Sequence, residues 1–206
     1  MKRFDEYTDI TQWLLRSAES DRGIEILFSK NEKKTVTYRE LAVRSMMLSG
    51  FINNAGVKKQ EYILLYCSGL ENLLYGFWAC AFGGYVAVMM NYSPGEPINE
   101  DFVRRYGFAG IITDVELANP EWFGLVVDPA RALDWTELDT EENCVCEHDA
   151  EELLYVQFSS GSTGEGKAIP IKRRSLYASV SDECRCFGVT DKDIVLNWQP
   201  LTHSGG

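Results

Sequence analysis

Basic residues are scarce in this sequence of 206 residues: 20 Lys and Arg stand against 31 Asp and Glu, a net charge of -11. This balance argues against a nucleic acid partner, because such binding draws on clustered Lys and Arg. No stretch approaches about 18 uncharged apolar residues, so no membrane-spanning helix is expected. The amino terminus, MKRFDEYTDI, carries acidic residues where a signal peptide would be apolar. These absences together predict a cytoplasmic protein.

Disulfide staples are not needed either, since a chain of 206 residues can bury a full core. Hydrophobic residues make up 45% of the sequence and charged residues 25%, as in ordinary globular domains. In the cytoplasm the cysteines are expected to be reduced thiols. The six are Cys67, Cys80, Cys144, Cys146, Cys184 and Cys186.

Helical and strand patterns alternate through the first part of the chain. Thr37 and Glu40 form a capping box that predicts a helix over 37–55, and Ser68 and Glu71 form a second box that predicts a helix over 69–82. Short apolar runs predict buried strands at 61–67, 85–90, 110–113 and 125–127. A further helix is predicted at 97–107. The alternation predicts an α/β fold with a mostly parallel sheet flanked by helices.

Three segments divide the chain by pattern. Residues 1–127 read as an α/β subdomain, and 128–152 as an exposed acidic connection with room for a short edge strand, in which His148 is predicted to be solvated surface. Residues 153–206 read as a segment built around a glycine-rich loop. Its predicted elements are strands at 152–158 and 193–198, an extended stretch at 168–171 and a helix at 173–187.

The glycine-rich loop, SSGSTGEGK, spans residues 159–167. Glycines allow positive φ and close approach to a ligand, so that successive N–H groups can converge on an anion. Hydroxyl groups and one lysine add the donors that a triphosphate needs. We therefore predict a nucleotide phosphate site, for ATP, with a plain surface turn as the alternative. The predicted ligands are Ser159, Ser160, Gly161, Ser162, Thr163, Gly164 and Lys167.

A Walker A loop is a competing interpretation, because Gly161 to Lys167 fits G-x-x-x-x-G-K. Position 168 is alanine, however, where that motif needs a Mg²⁺-binding Ser or Thr. The following AIPI contains Pro170 and is predicted to be extended, whereas a Walker loop runs straight into a helix. Both features disfavour a P-loop NTPase.

The stretch YVQFSSGSTGEGKAIPIKRRSL, residues 155–176, resembles the phosphate-loop motif of the adenylate-forming (AMP-binding) superfamily. That superfamily includes acyl-CoA synthetases, nonribosomal peptide adenylation domains, fatty acyl-AMP ligases and luciferases. TYREL at 37–41, the block 68–91 and NWQPLTHSGG at 197–206 agree with the resemblance. Gly166, Ala168, Lys172-Arg173 and Ser204 depart from the usual pattern.

The resemblance implies activation of a small carboxylic acid or amino acid by ATP as an acyl-adenylate, followed by transfer to coenzyme A or a carrier-protein thiol. It implies that Lys167 and His203 are catalytic, that Thr163 lies near Mg²⁺, and that His203 lines the junction of the acyl pocket and the α-phosphate. The family's adenine and ribose motifs and its carboxy-terminal domain are absent from the sequence. We therefore expect an amino-terminal portion of a longer enzyme, inactive alone.

Two other classes of function stay open at this point. The departures at Gly166, Ala168 and Ser204 would suit a non-enzymatic or degenerate interaction module. Cys144, Cys146 and His148 would share one face of a strand and could suit zinc, although C-x-C is not the usual C-x-x-C spacing.

Overall fold

The computed structural model describes residues 7–132, 145–158 and 167–202, without the side chains of residues 131 and 132. Its helices are α1 (Ile10–Ser17), α2 (Tyr38–Asn54), α3 (Leu70–Gly83), α4 (Glu100–Tyr106), α5 (Pro129–Ala132) and α6 (Arg173–Phe187), with a 3₁₀ turn at Pro120–Trp122. Its strands are β1 (Gly23–Ser29), β2 (Glu32–Thr37), β3 (Tyr62–Tyr66), β4 (Val86–Met89), β5 (Gly110–Thr113), β6 (Val126–Val127), β7 (Leu153–Phe158) and β8 (Ala168–Lys172).

A six-stranded sheet in the order β6-β5-β3-β4-β7-β8 forms the centre of the described chain. The first five strands of that order are parallel to one another, and only β8 runs antiparallel, against β7. The predicted α/β class with a mostly parallel sheet is therefore confirmed. Strands β1 and β2 pair as a separate antiparallel hairpin.

Side chains alternate between the two faces of the sheet, and each face has its own helices. Ile63 and Leu65 pack in the core that α2 and α3 cover, whereas Leu64 and Val88 pack in the core that includes Val103 of α4. Apolar residues on both faces are the signature of a parallel sheet with helices on each side. The uninterrupted apolar runs in the sequence have this cause.

Helix α2 begins as its capping box predicts, with the Thr37 side chain accepting a hydrogen bond from the Glu40 N–H at 3.0 Å. The second predicted capping box is wrong. The N-cap of α3 is Gly69, which makes no side-chain cap. Instead Asp114, directly after β5, accepts hydrogen bonds from the N–H groups of Ser68 at 2.6 Å and Gly69 at 2.9 Å, and from Asn72 at 2.8 Å.

Replacing Asp114 by alanine is expected to lower the free energy of unfolding by about 1–3 kcal/mol, because three donors lose one acceptor. Burial alone would raise the Asp114 pKa, but the hydrogen bonds from Asn72, Ser68 and Gly69 together lower it, so the carboxylate is the bound form. Urea denaturation at neutral pH measures the loss. Glu116→Ala, an exposed carboxylate two residues away, is the control and should change stability by less than about 0.5 kcal/mol.

Strand β7 joins β4 through only two registered pairs, Ala87 with Tyr155 and Val88 with Val156. The side chain of Gln60 extends this pairing. Its Nε2 donates to the Leu153 carbonyl at 3.1 Å, and its Oε1 accepts from the Leu153 N–H at 2.9 Å. The Gln60 amide thus bonds the first residue of β7 as a neighbouring strand would.

The predicted strand at 193–198 is wrong. The described residues there form no strand, and Ile194 and Trp198 are 98% and 80% exposed. Residues 128–152 include the short helix α5 and the described part 145–152, while 133–144 lie outside the described residues. No helix in the described ranges combines the length and apolarity needed to cross a bilayer.

Candidate active site

The carboxyl ends of β3, β4, β5, β6 and β7 lie at one edge of the sheet, because these strands are parallel. In open α/β sheets this edge is where ligands bind, beside the place where the strand order reverses. Here the reversal follows β4: the chain moves from β3 to β4 on one side and then back to β5 on the other. The glycine-rich loop leaves the sheet from β7, the neighbour of β4.

An antiparallel pair brackets the loop. Phe158, the last residue of β7, pairs with Ala168, the first residue of β8. Residues 159–167 therefore begin and end at two adjacent positions of the sheet. The prediction that AIPI is extended is confirmed, because it forms most of strand β8. The loop is therefore followed by a strand and not by a helix, which excludes the Walker geometry. Pro170 is accommodated because β8 is the edge strand.

Among the predicted phosphate ligands, the structure describes Lys167, which is exposed directly before β8. The predictions at Ser159, Ser160, Gly161, Ser162, Thr163 and Gly164, and at His203, fall outside the described residues. Those assignments stay predictions. The described chain fixes where the loop starts and ends.

Helix α4 supports the end of β7. The Phe158 ring lies 5.6 Å from the Phe102 ring and 5.7 Å from the Tyr106 ring, centroid to centroid. Both rings of α4 meet Phe158 edge-on, a favourable arrangement of aromatic quadrupoles. Phe158, the last residue before the loop, is thus packed against α4 on one face of the sheet.

The chain returns to the same edge just before His203. The Thr202 hydroxyl donates a hydrogen bond to the side-chain oxygen of Asn91, which lies two residues after the end of β4, and Leu201 packs against the larger core. Since β4 and β7 are neighbours, the segment leading to His203 and the start of the loop meet at adjacent strand ends. The sequence did not predict that Asn91 would make this contact.

A cavity of about 530 Å³ lies further along this edge, between the loops that follow β4 and β5. Aromatic side chains line it, among them Tyr66, Tyr92 and Trp122, together with the carboxylates Glu96 and Glu116. Its described walls hold no Lys or Arg, so it does not suit phosphate. The residue types predicted to bind an anion therefore stay with the sequence of the loop after β7, not with this cavity.

A buried ionic cluster lies at the opposite end of the β7–β8 pair. Arg173, fully buried, donates from Nη1 to both Asp9 oxygens, at 2.9 and 2.8 Å, and from Nη2 to the Ala81 carbonyl at 2.6 Å. Glu152 pairs with Lys59 at 2.7 Å and lies 3.8 Å from the Arg173 Nε. Two positive and two negative charges balance in this cluster.

The interpretation of His148 as solvated surface is wrong. Its side chain is only 4% exposed, and its Nδ1 lies 3.7 Å from Glu152. Burial, and next the charge of Arg173, lower the His148 pKa from 6.5 to about 4, so the imidazole is neutral at pH 7. Residue type alone could not reveal this, because three of the charged groups near it, Arg173, Asp9 and Lys59, come from distant parts of the chain.

The proposed zinc ligands take different partners. Cys146 donates its thiol to the Gly83 carbonyl at 3.4 Å, and His148 faces the ionic cluster. In the ranges that the structure describes, no three His, Cys, Asp or Glu side chains converge as metal ligands would. Cys144 lies outside those ranges.

The fold and the bracketed loop define a class: α/β proteins with a glycine-rich loop at the carboxyl edge of a parallel sheet. The chain belongs to the AMP-binding enzyme family, whose model matches residues 14–206. Relatives include zwittermicin A synthase ZmaJ of Bacillus cereus, 25% identical over 83% of this chain and 33% of that protein. The 2-succinylbenzoate–CoA ligase of Bacillus subtilis (strain 168) is 23% identical over 97% of this chain and 40% of that protein.

Solved structures share the fold. The adenylation domain of a keto acid-selecting NRPS module, bound to keto acyl adenylate, superposes with a TM-score of 0.80 at 18% identity, over 97% of this chain and 38% of that one. A fatty acid AMP ligase from Legionella pneumophila gives 0.80 at 18% identity, over 98% of this chain and 37% of that one. The chain thus spans about two fifths or less of these relatives.

Proposed function

We propose that this chain supplies the phosphate-binding wall of an enzyme that joins a carboxylic acid to the α-phosphate of ATP. The observation that carries the proposal is the glycine-rich loop held between Phe158 and Ala168 at the carboxyl edge of the sheet. Membership of the AMP-binding enzyme family supports it. In this reaction a carboxylate oxygen attacks the α-phosphorus, and pyrophosphate leaves.

Each predicted residue has a role in that step. The hydroxyls of Ser159, Ser160, Ser162 and Thr163 and the N–H groups of Gly161 and Gly164 bind the β- and γ-phosphates, and Lys167 adds a positive charge. These donors stabilise the charge that develops on the leaving pyrophosphate. Thr163 would help to hold Mg²⁺, which neutralises phosphate charge when bound. His203 orients the carboxylate toward the α-phosphate.

The proposed reaction has two further partners, the acid that is activated and the thiol that accepts the acyl group. The proposed acid is a small carboxylic or amino acid, and the proposed acceptor is the thiol of coenzyme A or of a carrier protein. The relatives include a 2-succinylbenzoate–CoA ligase, and the similar solved structures include the adenylation domain of an NRPS module. We propose thioester formation as the second step, with no preference between the two acceptors.

Adenine and ribose contacts are expected from residues other than those present here, because the chain spans a third to two fifths of its relatives. We therefore expect the 206-residue chain to release little pyrophosphate from ATP with any of a panel of carboxylic acids. Robust turnover by the isolated chain contradicts this.

Binding of Mg·ATP tests the phosphate site directly. In the 206-residue chain, Mg·ATP is expected to shift the amide NMR signals of residues 153–158 and 167–172. Lys167→Ala should weaken this binding by about 10- to 100-fold, the usual value of a charge-assisted contact. Magnesium pyrophosphate should compete, because the loop recognises phosphates rather than adenine.

The matched control for Lys167 is Lys172→Ala, at the other end of the same strand, where the lysine pairs with Glu151 at 2.9 Å. It should keep the affinity of the parent chain. Equal affinity in the parent chain and in Lys167→Ala would show that the loop is not the phosphate site. That result would favour a degenerate interaction module, which the departures from the family pattern at Gly166, Ala168 and Ser204 also suggest.

A further inference from the structure

The end of the β7–β8 pair that lies away from the loop, here called its base, is bonded to the main chain at the start of α6. The Arg173 N–H donates to the Glu152 carbonyl at 3.0 Å, and the Arg174 N–H donates to the Ala150 carbonyl at 3.0 Å. Arg173 therefore begins α6 at the point where β8 ends and β7 starts. Its guanidinium extends from this base into the protein interior, away from solvent.

That guanidinium connects the base of the pair to two helices from the other end of the chain. Asp9, which accepts both Nη1 contacts, is also the N-cap of α1, where it accepts from the Thr11 N–H at 3.0 Å and the Thr11 hydroxyl at 2.7 Å. The Ala81 carbonyl, which accepts from Nη2, belongs to α3. One side chain thus joins α1, α3 and the β7–β8 pair.

Apolar packing follows the same path. Ile10 of α1, Ala81 of α3 and Leu154 of β7 form a small buried cluster, and each is 3% exposed or less. Helix α1 therefore covers β7 beside the ionic contact with Arg173. Because β7 has only two registered pairs with β4, these contacts add to what holds the β7–β8 pair in the sheet.

We propose that Arg173 and Asp9 are positioning residues for the phosphate loop: by docking α1 onto the base of the β7–β8 pair, they hold the two strands between which the loop is suspended. The functional part of this inference rests on the phosphate site proposed above. The mechanical part does not, because it concerns only how firmly β7 and β8 stay in the sheet. Neither residue is among the predicted phosphate ligands.

Hydrogen exchange without nucleotide tests the mechanical part. Asp9→Asn keeps the shape of the side chain and removes its charge. We expect amide exchange in 153–158 and 168–172 to accelerate at least about tenfold more than exchange in 62–66 and 110–113, which accelerates only as global stability falls. Asp9→Glu, which keeps the charge, should restore most of the protection. A merely structural role would accelerate exchange in all four segments by the same factor.

The control is Arg174→Met, which removes an exposed ion pair with Glu151 one residue further along. It should leave exchange in all four segments unchanged. If Asp9→Asn fails to fold, Thr11→Val removes a single hydroxyl contact to Asp9 and should show the same selective pattern with a smaller amplitude. Uniform acceleration, or none, in the folded variant overturns the proposal.

A titration with Mg·ATP separates this inference from the function it serves. Asp9→Asn should weaken Mg·ATP binding by about fivefold or more, whereas Arg174→Met should not. If the parent chain shows no response to Mg·ATP, the phosphate site is wrong, and the exchange result still decides the mechanical part. If the parent binds and Asp9→Asn binds equally well, the positioning role is overturned while the phosphate site stands.

Discussion

Arg173→Met is expected to lower the free energy of unfolding by about 3–5 kcal/mol, the usual result of removing one partner from a buried ion pair. The variant leaves the Asp9 carboxylate without its buried guanidinium and removes the donor to the Ala81 carbonyl. Burial would raise the Asp9 pKa, but the charge and hydrogen bonds of Arg173, together with Thr11, lower it, so the carboxylate stays ionised. Urea denaturation at pH 7 measures the loss.

Two comparisons make this expectation specific. The double variant Asp9→Asn with Arg173→Met should be less destabilised than the sum of the two single variants, because it leaves no unpaired charge between them. Arg174→Met should lie within about 0.5 kcal/mol of the parent chain, since exposed ion pairs contribute little. A loss below about 1 kcal/mol for Arg173→Met would mean that water reaches the cluster.

Stability is expected to fall by about 2–3 kcal/mol between pH 7 and pH 4 because of His148. In the folded chain its pKa is about 4, against 6.5 for an ordinary histidine. Between these values the unfolded chain binds more protons than the folded chain does, so stability drops as the pH falls through this window. The groups facing it are Arg173, Asp9, Lys59 and Glu152.

His148→Gln removes this titration and should flatten the dependence of unfolding free energy on pH between about 4.5 and 6.5. Urea denaturation at a series of pH values gives the two curves. Parallel curves for His148→Gln and the parent chain would contradict the depressed pKa. The lowered pKa of Asp9 acts below about pH 4, outside this window.

Elements with a strong local signal were predicted well. The strand at 110–113 and the helix at 173–187 have the predicted bounds, and helix 38–54 begins at its capping box. In each case the signal, which is the apolar spacing, a cap or a terminal glycine, lies within the element or a few residues from its end. The extended segment after Lys167 belongs here too, because Pro170 forbids a helix at that place.

Elements that depend on distant partners were not predicted. The strand expected at 193–198 has suitable residues but no neighbouring strand among those described, and a strand needs one. Helix α1 also went unrecognised. The hairpin β1–β2 was missed for a different reason, a weak local signal: β2 carries Lys33 and Lys34 and buries only Val36. The α3 cap is formed by Asp114, more than forty residues away, rather than by the adjacent Ser68.

The candidate site also combines features that the local sequence indicates with contacts that it does not reveal. Composition alone indicated a phosphate loop at 159–167, because glycines, hydroxyls and a lysine are clustered in sequence. The contacts that place it are long-range: Phe158 on α4, Asn91 with Thr202, and Arg173 with Asp9. A pattern within one segment cannot show which residues of other segments hold it.

The side-chain amide of Gln60 helps to fix the register of β7, the strand that leads into the loop. A slip of β7 by one residue would turn every side chain of the strand to the opposite face and displace the loop by about 3.3 Å along the sheet. Two ladder pairs alone are a weak guard against such a slip. The Gln60 side chain opposes it, because a slip by one residue would move the N–H and the carbonyl of Leu153 away from their partners. The position of the proposed anion site at one end of the strand thus depends on a contact at the other end.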